Sequence, residues 1–345
     1  MLSNRAGRVL ALFLFAAAAF AQDSRSLSNE GSQLLQAGKN EAALEKFRRA
    51  AELSPDDPAI HFNVGLALFR LERYRQALPA LEKSLGHGDS EPNARFLRGV
   101  IYYQSGEFEQ CTLELEKVRH HPRFGEPALY RLVEAYRRTG RVGASQQAFA
   151  ELNARYPESP FVHQLMGLAY DSMHQPAEAI REFEAALQAN PLLPEAAFGA
   201  GYVHFKEGNI EAAAGWLTKE LQLDPCHAPS HRYLGEIALK QARHSEAAGR
   251  FEQSAKCDPR EPQTYLGWGA ALERLDQLER ALQHYRKAAE LAPDSSEVHY
   301  RLGRALQRLG NTREAQAAFE RVKELRAKYG EQAARDMQTA KAKEQ

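Results

Sequence analysis

The stretch PFVHQLMGLAYDSMHQPAEAIREFEAALQANPLL, Pro160 to Leu193, decides the fold. In it Gly167 stands between Met166 and Leu168, Tyr170 follows three residues after the glycine, Ala179 and Phe183 lie four apart, and Asn190-Pro191 closes the stretch. A shift of 34 residues in either direction reproduces the arrangement. The glycine slot then reads Gly31, Gly65, Gly99, Val133, Gly167, Gly201, Gly235, Gly269 and Gly303, with no insertion or deletion. A fixed period outranks the two-domain prior that 345 residues would suggest, so one repeating array is expected.

Within each unit apolar residues fall at helical spacing twice, around the glycine slot and around the alanine twelve residues later, which predicts a pair of helices. In the last unit His299, Leu302, Gly303 and Leu306 make one stripe, and Ala315, Phe319 and Val322 the other. Gly106, Gly140, Gly208 and Gly310 stop the first helix; Pro55, Pro157, Pro191, Pro225, Pro259 and Pro293 follow the second. The second small slot is filled by Ala43, Ala77, Cys111, Ser145, Ala179, Ala213, Ala247, Ala281 and Ala315. Glycine is expected to face this alanine, with the aromatic or leucine four residues later (Phe47, Leu81, Phe183, Phe251, Tyr285) filling the gap towards the next unit. Neither stripe is covered by one pair alone, so each unit depends on its neighbours.

These residues resemble the tetratricopeptide repeat, a 34-residue pattern of Leu-Gly-x-x-Tyr, Ala-x-x-x-Phe and a closing proline. Leu234-Gly235, Leu302-Gly303, Tyr102, Tyr136, Tyr170 and the Ala-x-x-x-Phe pairs carry the likeness. Nine units in register span residues 24–327, beginning near 24, 58, 92, 126, 160, 194, 228, 262 and 296. The resemblance implies an all-α fold, an α-solenoid in which antiparallel helix pairs form a right-handed superhelix. Repeat four departs at Val133, and repeats two and three carry Asp89 and Arg123 where proline usually stands, so a local change of helix spacing is expected near residues 86–135. Residues 328–345 are expected to form a capping helix with a frayed tail, Ala333, Ala334, Met337 and Ala340 continuing the apolar stripe.

Residues 1–21 read differently. Arg5 and Arg8 precede an apolar run from Val9 to Phe20 that ends in Ala19-Phe20-Ala21, the layout of a signal peptide cleaved after Ala21. That run is too short to cross a bilayer core of about 30 Å. The remaining chain is expected to be exported, periplasmic or secreted, with no transmembrane segment. Lysine plus arginine balance aspartate plus glutamate at 45 each, which argues against a nucleic-acid footprint.

The resemblance also implies that the first helices line a concave groove holding a segment of a partner protein. Positions three before, one after and four after the glycine slot share one face of that helix. They give Phe62, Leu66 and Phe69, then Phe96, Val100 and Tyr103 with Tyr130 beginning the next, and later Phe198, Tyr202 and Phe205. Between these patches Gln164, Leu168 and Asp171 form a more polar interval. The alternative is that these aromatics pack on one another inside the array. Asn63 matches one place of the family's carboxylate-gripping set, but Ser28, Ser32, Asn93 and Leu97 occupy others, so that mode is not expected.

Cys226 and Cys257 fall at the same end of repeat seven and can oxidise in an exported protein, stay reduced, or bind metal with His227 and His231. Cys111, in a packed slot, is expected to be buried and unpaired. Signatures for metalloproteases, phosphate-binding loops and nucleophile elbows are absent, and the repeats leave no stretch for a separate catalytic domain. The expectation is a non-enzymatic scaffold without cofactor that binds a protein or peptide in envelope assembly or export. An enzyme or metal protein with a site at repeat seven is the alternative, and self-association stays open.

Overall fold

The computed structural model describes residues 22–86 and 90–343, with side chains except at 90 and 330–343. The expected signal peptide, its cleavage point after Ala21 and the departure at Asp89 lie outside the described residues, as do the side chains of Ala333, Ala334, Met337 and Ala340.

Among the described residues there are eighteen helices and no strand. Two compact units divide the chain, Met1–Val162 and His163–Gln345. The first contains α1 (22–36), α2 (Asn40–Leu53), α3 (Pro58–Arg70), α4 (Tyr74–Glu82), α5 (Ser90–Gln104), α6 (Phe108–Leu115), α7 (Gly125–Arg138) and α8 (Val142–Arg155). The division falls within α9 (Pro160–Ser172). The second contains α10 (Pro176–Ala189), α11 (Ala196–Lys206), α12 (Ile210–Leu223), α13 (Ala228–Lys240), α14 (His244–Cys257), α15 (Pro262–Arg274), α16 (Leu278–Leu291), α17 (Ser296–Arg308) and α18 (Thr312–Lys343). Each unit is a stack of helix pairs, the odd-numbered helix first and the even-numbered second, so the fold is an all-α solenoid.

The turn inside each pair has one conformation. Gly38, Glu72, Gly106, Gly140, His174, Gly208, Ala242, Asp276 and Gly310, 34 residues apart, all have φ between 57° and 79°. This left-handed residue ends the first helix and reverses the chain, and glycine holds five of the positions because it meets no Cβ penalty there.

The packing of the small slots differs from the expected glycine-on-alanine contact. A Cβ built on Gly65 would lie 2.6 Å from Leu81 Cδ2, and one on Gly269 would lie 2.6 Å from the Tyr285 ring. The glycine therefore faces the large residue sixteen positions later, and the alanine of the second slot contributes its backbone: the Ala77 carbonyl oxygen lies 3.5 Å from the Gly65 position. In two places the ring also meets the next first helix. Phe183 is held between Gly167 and Gly199, and Phe251 between Gly235 and Gly267. Both rings are almost completely buried, so one residue joins its own pair to the following one.

Around the stretch where a change of helix spacing is expected, 86–135, two second helices are short, α4 ahead of it and α6 within it. α2, α8, α10, α12, α14 and α16 each run for 14 residues, whereas α4 has nine with Pro79 inside it and α6 has eight. A proline in a helix interior removes one hydrogen bond. Past α6, Phe124 is buried and precedes α7. At the other end the backbone of α18 continues through Tyr329 and Gly330, so the segment expected as a capping helix extends the last second helix without a break. No helix among the described residues is long and apolar enough to cross a membrane.

Candidate functional site

In the first unit the residues expected on the groove are half-buried, Tyr130 excepted. Phe62, Leu66 and Phe69 pack against the cluster formed by Leu68, Ala77, Leu81 and neighbours. Phe96 stacks on Phe124 at 4.8 Å, an aromatic outside the repeat pattern. Tyr103 meets Phe108 edge-on at 5.5 Å, and its hydroxyl lies 3.5 Å from the Glu134 carboxylate. Burial, reinforced by Glu134, raises the Tyr103 phenol above its usual range. Tyr130 corrects the expectation of an open groove: it is 8% exposed and stacks on Phe161 at 4.7 Å. The Arg131 guanidinium lies over both Tyr103 (4.8 Å) and Tyr130 (5.3 Å), so one face of each ring is occupied from within the protein. Elsewhere in this unit Arg98 and Glu114 form a buried pair at 3.0 Å, with Arg95 joining Glu114 at 3.1 Å.

The second unit assembles a different face. α11 begins at Ala196, and its N-cap, Glu195, has φ 68°, outside the 34-residue series of turns. Glu220 of α12 is 1% exposed and accepts hydrogen bonds from Glu195 N (3.0 Å) and Phe198 N (3.1 Å). A buried carboxylate thus caps the free amides of α11 and sets its first turn. His227 fixes the next helix: its Nδ1 accepts from Ser230 N at 3.2 Å at the start of α13, and its Nε2 approaches the Glu195 carboxylate at 3.2 Å. With Nδ1 accepting a backbone N–H, the ring proton belongs on Nε2, toward Glu195. The ring edge also meets Phe198 at 4.9 Å.

On this support Phe198, Tyr202 and Phe205 converge with Tyr233 of α13. Tyr233 lies 6.0 Å from Phe198, 5.3 Å from Tyr202 and 5.1 Å from Phe205. All four are half-buried, leaving part of each ring available. Charges frame the cluster. Arg232 lies over Tyr233 at 4.0 Å and pairs with Glu236 at 2.6 Å; Lys206 lies over Tyr202 at 5.3 Å and pairs with Asp171 at 2.6 Å; Lys240 lies over Phe205 at 4.2 Å. Burial pushes the Glu236 carboxyl above its usual range against the pull of Arg232 and Lys240. Tyr233 was outside the expected set because it stands two residues before its glycine slot, off the face chosen by the three-position rule. An aromatic beside a basic residue, Arg232-Tyr233, was the available signal. Leu168, in the interval between patches, is 42% exposed, while Gln164 is buried and donates to Pro194 O at 2.9 Å.

At repeat seven Cys226 and Cys257 form a disulfide, Sγ–Sγ 2.07 Å and Cα–Cα 5.3 Å. The histidines beside them are used locally, His227 as described and His231 with Nε2 3.1 Å from Pro225 O. Among the described residues no group of three His, Cys, Asp or Glu is placed to hold a metal ion. Cys111 is buried and unpaired, its thiol pushed up to about 12 by burial.

Comparison with known proteins adds three findings. Residues 101–341 match the family described as "Cilia and flagella-associated protein 70 C-terminal domain", a tetratricopeptide-repeat family, and residues 31–72 and 65–110 match tetratricopeptide-repeat families. A TPR repeat-containing protein of Methanocaldococcus jannaschii is 32% identical over 88 residues, 26% of this chain and 16% of its own length; the chain thus spans a small part of that relative. Of solved structures, the Cut9–Hcn1 hetero-tetramer of APC/C aligns with TM-score 0.58 at 12% identity, covering 88% of this chain and 73% of the other. MamA from Desulfovibrio magneticus RS-1 aligns with TM-score 0.45 at 23% identity, covering 49% and 96%.

Proposed function

The chain belongs to the tetratricopeptide-repeat family, and on that premise we propose that it is a non-enzymatic scaffold binding a protein or peptide segment on the faces of its first helices. The observation that carries this reading is the convergence of Phe198, Tyr202, Phe205 and Tyr233, half-buried and framed by Arg232, Lys206 and Lys240. Rigid aromatic rings with a charged rim supply the anchor and border that peptide recognition uses. Phe62, Phe69 and Phe96 of the first unit are a second, half-buried face.

We further propose that the protein acts outside the cytoplasm, in envelope assembly or export. The layout of residues 1–21 supports this, as does a disulfide at repeat seven, since disulfides persist in oxidising compartments. N-terminal sequencing of the protein purified from its native envelope should begin at Gln22; a retained Met1 would refute export by cleavage. Crosslinking followed by capture should recover a partner that is lost from Tyr202→Ala/Tyr233→Ala. Retention of every partner by that variant and by Phe62→Ala/Phe96→Ala, with helical content unchanged, would overturn the scaffold reading at both faces.

A further inference from the structure

Beside the aromatic cluster, the second unit contains an open cavity of about 830 Å³ that collects cations. Lys240, Arg274 and Arg308 end α13, α15 and α17 at 34-residue spacing and line it. A basic residue at a helix C-terminus is ordinary, because it meets the negative end of the dipole. Arg301 and Arg304 have no such reason. They lie inside α17 and line the same cavity, where the equivalent positions one repeat earlier are Gly267 and Ala270.

The acids on the rim do not balance these charges. Glu273 is engaged by Arg308 at 2.6 Å and by the Tyr285 hydroxyl at 2.9 Å. Asp276 stands in solvent with its side chain 97% exposed, 4.0 Å from Arg308. Among the described residues Arg274, Arg301 and Arg304 are in no ion pair, whereas Arg308 beside them is held by Glu273. Several free cations converging on one concavity focus potential there as a scattered surface set does not. Lys240 joins this cavity to the aromatic cluster, since it lines the one and lies 4.2 Å from the Phe205 ring of the other.

We propose that the cavity receives an acidic stretch of the partner protein, continuing from an apolar side chain seated on Phe198, Tyr202, Phe205 and Tyr233. This rests on the scaffold reading and specifies its partner: an apolar anchor followed by several aspartates or glutamates. A peptide fits better than a nucleic acid. The chain as a whole has no excess of basic residues, whereas a nucleic-acid footprint needs cations spread along a face to follow the phosphate backbone.

The test is fluorescence anisotropy on the purified full chain with its disulfide intact, using two labelled peptides of equal length. Both carry a leucine-tryptophan anchor, followed in one by alternating aspartate and glutamate and in the other by asparagine and glutamine. The acidic probe should bind at least about tenfold more tightly at low salt. That advantage should shrink toward 1 M salt, where the screening length falls to about 3 Å. Arg301→Gln/Arg304→Gln should remove most of it, while Arg313→Gln/Arg326→Gln, exposed positions on α18 with the same charge lost, should preserve it. Equal binding of both probes, or full retention by Arg301→Gln/Arg304→Gln, overturns the acidic partner and leaves the aromatic anchor standing. Failure of both probes overturns the proposal here, with the scaffold reading judged by the capture experiment. Tighter binding of an oligothymidylate than of the acidic peptide overturns it in favour of a nucleic acid.

Discussion

At the scale of single residues, the turn position repeated every 34 residues is where a small change has a readable sign. Ala242 holds φ 57° on an exposed turn, a conformation that costs an alanine about 1 kcal/mol and a glycine nothing. Ala242→Gly is expected to stabilise the protein by about 0.5–1 kcal/mol in urea denaturation, despite glycine's greater unfolded-state entropy; a loss of stability would show that the turn is set by other contacts. Cys111 gives a second prediction. With its thiol pushed up to about 12 and its side chain buried, it should resist alkylation at pH 8 in the folded protein and react only after denaturation. The disulfide closes a loop with a separation of 31 residues, so reducing it should cost about 3–4 kcal/mol on the chain-entropy scale. A melting temperature unmoved by reductant would contradict that.

At the scale of helices, the unit of cohesion is a ring in a glycine socket. Phe251 fills the space between Gly235 and Gly267, where an added Cβ would come within 3.0 and 2.4 Å of it. Phe251→Ala should therefore cost about 3–5 kcal/mol through lost burial and the cavity left behind. Gly267→Ala should cost about 1–3 kcal/mol through overpacking, although alanine is the better helix former. Denaturation midpoints of the two variants check both figures. The pairing of helices was legible in the sequence because the glycine slot, turn and ring keep one spacing through the chain. Which small residue faces the ring was not, because the 12- and 16-residue spacings both fit a helix hairpin and only the backbone separation chooses between them. Likewise the face holding Phe62, Phe96 and Tyr130 was legible by position, but its burial was not. Phe124 and Phe161, which stack on Phe96 and Tyr130, belong to no repeated slot. The late start of α11 and the capping of its amides by Glu220 were also hidden, since the partner lies on another helix 22 residues away.

At the scale of the whole molecule, packing is between neighbours in sequence, and even the longer side-chain contacts join residues about one repeat apart, as in Lys206–Asp171 and Arg308–Glu273. Stability in such a chain is a sum of local terms. Hydrogen exchange on Phe251→Ala should show faster exchange in α13 to α16 and unchanged protection in α3 and α4; uniform loss across both units would mean that the chain unfolds as one cooperative body. The socketed ring has one more consequence, for where the chain can be cut. A fragment ended after a second helix exposes the ring that the next first helix would have covered, whereas one ended after a first helix leaves only a glycine notch. Phe319, in the last such position, is half-buried where Phe183, Phe251 and Tyr285 are sealed. The phase at which the chain is best shortened is thus offset from the written repeat: a fragment of several repeats should open and close with a first helix, each presenting a socket and not a bare ring, and shortened forms of this protein should be trimmed at that phase.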